Sequence, residues 1–204
     1  ACGQKPSGDP VQTDGQSQPG QNQQAQDQTP PDDGFSTSVG GRVEDPEGLA
    51  TEEQKQLMTR LLTDWYTDIA LFDQPQLGAL FSDEKDAAMH EASIRTLTAI
   101  RQQALTDLRM RDVDFVLTVT KAEPSTEEDA VEGQIHIEAD ESAVMHFAAT
   151  PEVDSKLYDV PHIFELVPEG DGWLIKHHEA DDNPYFSLTY QEGKEEDGQL
   201  QQLL

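Results

Sequence analysis

The sequence predicts an α+β fold in which helices come first and a curved antiparallel sheet follows. Three observations predict it. Apolar residues recur at steps of three and four between Leu57 and Leu108, the spacing of helices with one buried face. From Val113 the period drops to two, the spacing of half-buried strands. Polar clusters such as Pro124–Asp129 and Pro168–Asp171 punctuate the second half. Helical and strand patterns segregated in this way, not alternating, indicate α+β architecture.

The first helix has a defined start. Thr51-Glu-Glu-Gln54 fits a capping box, with Thr51 at the N-cap and Gln54 three positions on. Leu57, Met58, Leu61, Leu62, Trp65, Tyr66 and Ile69 then mark the apolar face, and Asp73-Gln-Pro75 ends the run near Phe72. Leu77–Phe81 is expected to form a turn of helix. A second helix is expected from about Asp83 to Leu108, with Met89, Ala92, Ile94, Leu97, Ile100, Ala104 and Leu108 inward. Arg101, Arg109 and Arg111 sit near its C-terminal end, where positive charge is stabilising.

Five strands are expected after the helices. Val113–Thr120 alternates cleanly, and Val131–Ala139 follows the polar loop. Asp140-Glu-Ser142 reads as a turn, leading to a strand at Ala143–Ala149. Leu157–Val167 and Gly172–Ala180 form the final hairpin, with Pro168–Asp171 as a four-residue loop. That register pairs Leu166 with Trp173, Phe164 with Ile175, and His162 with His177, and turns His178 the other way, toward solvent.

The N-terminal part has a different composition. Residues 1–48 are dominated by Gln, Gly, Pro, Asp, Ser and Thr, with a low-complexity run from Gln16 to Gln28. Such a segment cannot bury enough apolar area to offset its ordering entropy, so it is expected to be a flexible tether. The expected layout is a tether over 1–48, a folded domain over 49–190 and an acidic, polar tail over 191–204.

Charge excludes some functions. The 204 residues carry 41 acidic and 13 basic side chains, a formal net charge of -28. That field repels phosphate backbones, so nucleic-acid binding is not expected. It also disfavours adhesion of the protein surface to anionic lipid. No apolar run approaches the ~20 residues of a membrane-spanning helix. The single cysteine, Cys2, rules out an intramolecular disulfide and a cysteine metal cluster.

Cys2 has a recognisable context. Ala1-Cys2-Gly3 resembles the cleavage end of a bacterial lipobox, in which the signal peptidase cuts before the cysteine and its thiol carries diacylglycerol. Ala1 is then the last residue of the signal or a remnant ahead of the mature chain. Cysteine, polar tether and folded domain together form the layout of surface lipoproteins. The resemblance implies lipid attachment at Cys2 and a location on the extracytoplasmic face of the cell membrane. Two or more acyl chains suffice to hold a protein there.

The last hairpin carries a second resemblance. His162-Ile-Phe164-Glu-Leu166, a glycine-containing turn, then Gly172-Trp173-Leu-Ile175 and the acidic Glu179, Asp181 and Asp182 are similar to the terminal hairpin of NTF2-like (SnoaL-like) domains. It looks most like the version that precedes amidase-type domains in exported proteins of Gram-positive bacteria. The Trp65-Tyr66 pair resembles the aromatic pair on the first helix of such domains. The resemblance spans roughly Thr51 to Tyr190. The fourteen residues from Gln191 to Leu204 are too few for an amidase domain, so the domain is expected to stand alone.

The resemblance implies a conical pocket between helix and sheet. Its candidate lining residues are Trp65, Tyr66, Tyr158, His162, Phe164, Trp173 and His177. Some such domains are isomerases or dehydratases and many only bind, so the residues must decide. No nucleophile elbow, phosphate loop or HExxH motif is present. Asp64 and Asp68 share a helical stripe away from Leu61 and Trp65 and read as surface acids. Glu179–Asn183 lacks the spacing of an EF-hand loop.

The expectation is a non-enzymatic module that binds a small molecule, a cell-wall fragment or a partner protein, with no cofactor, no metal and no catalytic residue assigned. Two alternatives remain at this stage. One is a pocket enzyme with His162 and His177 as an acid–base pair. The other is a structural module that forms a homodimer through the open sheet face.

Overall fold

The computed structural model describes residues 36–71, 76–103, 110–148 and 150–181. They belong to one unit, Asp32–Leu204, and a separate unit, Ala1–Pro31, lies outside the described residues. Cys2, the Gln-rich run, Asp73, Pro75, Asp182, Asn183 and the tail 191–204 lie outside them as well.

The first helix, α1 (Glu52–Leu71), begins as the capping box requires. The Thr51 backbone N–H donates to Gln54 Oε1 at 2.8 Å, and the Gln54 N–H donates to Thr51 Oγ1 at 3.3 Å. Met58, Leu61, Leu62, Trp65, Tyr66 and Ile69 are buried along it, at the predicted spacing. A short 3-10 turn, Gly78–Leu80, follows where a turn of helix was expected.

The second helix, α2 (Glu84–Gln103), buries Ile94 and Leu97 as expected but fills the rest of its described inner stripe differently. Asp86, Ala87, His90, Ser93, Ile94 and Leu97 face inward, while Ala92 is exposed and Met89 only half-buried. Polar residues hold part of the inner face, so hydrophobicity alone misphases the helix. Arg111, expected near the C-terminal end of this helix, is instead exposed on the following strand.

The sheet has five strands in the order β1-β2-β3-β4-β5, namely Ser38–Glu44, Met110–Pro124, Ile135–Phe147, Thr150–Glu169 and Gly172–Ala180. β2 to β5 form an antiparallel meander, and β1 runs parallel to β2, so the sheet is mixed. Two corrections combine in that count. Ser38–Glu44 is a strand although it lies in the stretch expected to be tether, so order begins upstream of Leu49. Gly41 permits the strand's close approach to β2, because a Cβ there would fall inside the Phe115 ring.

The second correction concerns Asp140-Glu-Ser142, which is not a turn. It lies in the middle of β3, so two expected strands are one. Ile137, Ala139, Glu141, Ala143 and Met145 alternate inward without a break, and Glu141 takes the central core position.

The final hairpin also differs from its expected register. β4 and β5 are joined by a two-residue turn, Gly170-Asp171, with Glu169 opposite Gly172. Gly170 has φ of 59°, which the primed hairpin turns require of a central residue. A bulge between Glu165 and Leu166 then shifts the register, so that Glu165 faces His177 and Phe164 faces His178.

Both helices pack on the sheet's apolar face. Trp65, Tyr66, Phe115 and Phe164 are fully buried there with Met58, Leu61, Leu62 and Ile69. The segment between the helices is tied to the sheet, because Phe81 bridges to Ile175 and the Ser82 N–H donates to the Ile175 carbonyl at 2.8 Å.

Candidate functional site

The core contains a line of polar side chains. Glu141 on β3, His162 on β4, His178 on β5 and His90 on α2 are each 0–1% exposed, as is Tyr66 on α1. The strand alternation that buries Ala139 and Ala143 also buries Glu141, and the hairpin bulge turns His178 inward. Tyr66 and His90 occupy the inner stripes of their helices.

The groups touch in sequence. Tyr66 Oη donates to Glu141 Oε1 at 2.5 Å, and His162 Nε2 lies 2.8 Å from Glu141 Oε2. His162 Nδ1 lies 2.9 Å from His178 Nε2, and His178 Nδ1 lies 2.8 Å from His90 Nε2. Continuity of donors and acceptors assigns the tautomers when all three imidazoles are neutral. Each then carries its proton on Nε2: His90 donates to His178, His178 to His162, and His162 to Glu141. These bonds satisfy buried polar groups whose desolvation would otherwise be costly.

Aromatic rings enclose the line. His90 meets Trp65 and Phe81 edge-on at 5.2 and 5.0 Å, and Phe164 lies 4.5 Å from the His178 ring. Desolvation in this setting disfavours the imidazolium. It holds His90 down to about 3, with the neighbouring His177 and His162 pushing the same way against the pull of Asp86. It also holds His178 well below the ordinary histidine value, assisted by the other three histidines around it.

The site predicted from sequence is only partly assembled. Tyr66, His162 and Phe164 meet in the interior with Trp65 close by, and the space between them is filled. Trp173 is partly buried and packs at the edge of this core. Tyr158 does not join them: it is 67% exposed, beside Asp159, whose φ of 50° marks an irregularity between Glu141 and Ala143 in the β3–β4 register. His177 is not the partner of His162. It opposes Glu165, and its Nδ1 lies 2.5 Å from Asp86 Oδ2 on α2. That hydrogen bond raises His177 above its ordinary value.

Glu141, His90 and His178 were missed. Glu141 was concealed by a turn-like neighbourhood, although the alternation from Ile137 to Met145 runs through it in phase. His178 was placed in solvent because alternation was carried unbroken across the bulge. Among the described residues no group of three or more His, Cys, Asp or Glu side chains is arranged to hold a metal ion. A surface depression of about 410 Å³ lies between α1 and β1, lined by Arg42, Lys55, Arg60, Glu52 and Asp64 among others.

No protein-family profile matches the chain, and no curated protein sequence matches it. Among solved structures, a match is the intermembrane space region of the chloroplast protein ARC6, at 16% identity and a TM-score of 0.30, covering 64% of this chain and 97% of that one. A likeness at that level says nothing about what this chain does. Among the described residues, no helix is long and apolar enough to cross a membrane.

Proposed function

We propose that this chain is an extracytoplasmic lipoprotein, held on the membrane through Cys2, whose NTF2-like α+β domain is a non-enzymatic module for binding a ligand or partner. The observation that carries the non-enzymatic part is the filled interior. Trp65, Tyr66 and Phe164, nominated to line a pocket, have no exposed surface, and the polar groups beside them bond to one another. The enzyme alternative loses its acid–base pair, because His162 and His177 make separate contacts. Helices packed on one face of a curved sheet support the NTF2-like reading, and Ala1-Cys2-Gly3 ahead of a polar leader supports the anchor.

With Trp65, Tyr66 and Phe164 buried, recognition falls to the outer surface. The depression between α1 and β1 is the first place to look, since it gathers Arg42, Lys55 and Arg60 in a strongly acidic chain. Each already has an acidic neighbour, Glu44, Glu52 and Asp64 respectively, so a ligand carboxylate would exchange for one of these.

The anchor is tested by intact-mass analysis of protein taken from native membranes, where an acylated Cys2 is expected and an unmodified one refutes it. The module is tested by titrating ¹⁵N-labelled protein with soluble peptidoglycan fragments. Shifts confined to Arg42, Lys55, Arg60 and their neighbours support surface recognition. Shifts centred on Trp65, His162 and Phe164 would restore an interior pocket. A structural role is favoured by Val153 and Tyr158, large apolar side chains exposed on the same strand. Sedimentation equilibrium tests it, and a monomer at high concentration counts against a homodimer through β4.

A further inference from the structure

We propose that the depression between α1 and β1 takes an extended peptide with acidic side chains at alternate positions, which adds to the sheet as a further strand beside β1. This rests on the reading of the depression as the recognition surface, and it names the kind of partner that surface fits.

The two edges of the sheet are unlike. At the β5 edge, Phe81 bridges to Ile175 and the Ser82 N–H donates to the Ile175 carbonyl, so the segment before α2 covers part of that strand. At the other edge β1 pairs with β2 in parallel from Ser38 to Glu44, and among the described residues no strand lies on its outer side. Successive residues of a strand point their backbone N–H and C=O groups to opposite edges. Every second residue of β1 therefore turns a donor and an acceptor outward, the template that strand addition uses.

β1 has little to shield that edge. Its sequence, SVGGRVE, holds no proline and no lysine, and its register with β2 runs without a bulge. Gly40 and Gly41 are exposed and carry no side chain, and glycine within a strand marks a place where another backbone can come close.

The helix supplies a wall beside the edge. Glu52, Lys55, Thr59, Arg60, Thr63 and Asp64 recur at steps of three, four and one, so they form one stripe, and with Arg42 and Val43 they line the depression of about 410 Å³. The lengths match: Ser38–Glu44 spans about 20 Å at the rise of a strand and Glu52–Asp64 about 18 Å at the rise of a helix. A strand laid on β1 would therefore present every second side chain to the α1 stripe.

Charge selects the occupant. The lining brings together three cations, Arg42, Lys55 and Arg60, with two carboxylates, Glu52 and Asp64, in a chain that carries 41 acidic and 13 basic residues. The side chains of Arg42 and Arg60 are 59% and 61% exposed, so their pairs with Glu44 and Asp64 are weak and exchange readily for carboxylates from outside. A basic peptide would meet like charge there. A second copy would bring its own net charge of -28 to the contact, whereas a short peptide brings a few carboxylates aimed at the cations.

The test is a titration of the full ¹⁵N-labelled chain with an acetylated and amidated octapeptide of alternating glutamate and valine, followed by hydrogen exchange. With peptide at about 1 mM, every second amide between Ser38 and Glu44 is expected to gain about tenfold protection, while the amides between them stay as they were. Lys55→Gln and Arg60→Gln are each expected to weaken binding about two- to fivefold. Lys121→Gln, whose ion pairs are with Glu123 and Glu138, is expected to leave it unchanged. Strand addition is overturned if the β1 amides gain no protection or gain it uniformly, or if a lysine–valine octapeptide binds as well. It is also overturned if the free chain sediments as a dimer with alternate β1 amides already protected, which would make a second copy the occupant. Shifts at Arg42, Lys55 and Arg60 with peptidoglycan fragments, but no β1 protection with the peptide, would end strand addition and leave recognition at this surface standing. No shift there with either probe would remove both.

Discussion

At the centre of the molecule three histidines share one carboxylate; nearer its surface three others each stand between two. His90, His162 and His178 are buried and bonded to one another, with Glu141 at the end of the line. His136 lies 2.6 Å from Glu165 and 3.2 Å from Glu138. His146 lies 2.6 Å from both Asp112 and Asp154. His177 lies 2.5 Å from Asp86 and 3.8 Å from Glu179. The same side chain therefore meets opposite electrostatics in the two places. Burial among rings favours neutral imidazole, whereas flanking carboxylates favour the cation.

The two groups pull stability in opposite directions with pH. His90 and His178 are held below the ordinary value, so on acidification below ~6.5 the unfolded chain binds protons that the fold refuses, and stability falls. For His136, burial is the largest influence and opposes charging, but the bonds to Glu165 and Glu138 outweigh it and raise the group. Bonds to Asp112 and Asp154 raise His146, and Asp86 raises His177. His136 and His177 contribute stability that is present below ~6.5 and lost as pH rises through their folded values, while the solvent-exposed pairs of His146 add little. For these histidines the opposed limbs meet near the ordinary histidine value.

Substitutions can break this contrast, and the largest effect is expected at the inner carboxylate. Glu141→Ala leaves His162 and Tyr66 without their shared acceptor and is expected to cost about 3–5 kcal/mol in urea melts at pH 7. Asp112→Ala, at the surface, is expected to stay within ~0.5 kcal/mol. Equal losses at the two positions would abolish the distinction. Next in size is the acid limb itself. His90 alone is expected to remove on the order of 4 kcal/mol between pH 6.5 and 3, and His90→Gln should flatten that fall. A wild-type stability that is level from pH 6.5 to 4.5 would contradict the inner half of the account.

Smaller effects belong to the outer group. His177→Gln is expected to cost less than ~1 kcal/mol at pH 6, after discounting for its partial exposure, and nothing by pH 9. A larger loss at pH 9 than at pH 6 would reverse the sign assigned to the Asp86 pair. His146→Gln is expected to leave urea melts unchanged at either pH, because its ion pairs lie in solvent.

Much of the fold was legible along the chain because it rests on local rules. The Thr51–Gln54 capping box, the buried stripe of α1, the alternation of β2 and the β4–β5 hairpin were all readable from neighbouring residues. β1 was not, since its Gly-rich sequence gains its place from β2 and the Phe115 ring. The inner stripe of α2 was partly misjudged because Asp86 and His90 are inward for partners that lie far along the chain. Glu141 was lost for a related reason: an isolated carboxylate between Asp140 and Ser142 has every local mark of a turn.

The sequence by itself determined the two helices, the helix start at Thr51, the alternation of β2 and the acidic charge, each of which follows from residue types and their local spacing. Only the tertiary structure decided which histidines are buried among rings and which stand beside carboxylates. One extra residue in β5, opposite the Glu165–Leu166 step, sends His178 into the core and leaves His177 to Asp86. A one-residue shift exchanges the faces of a strand, and burial then decides the charge of whatever ring has been turned inward.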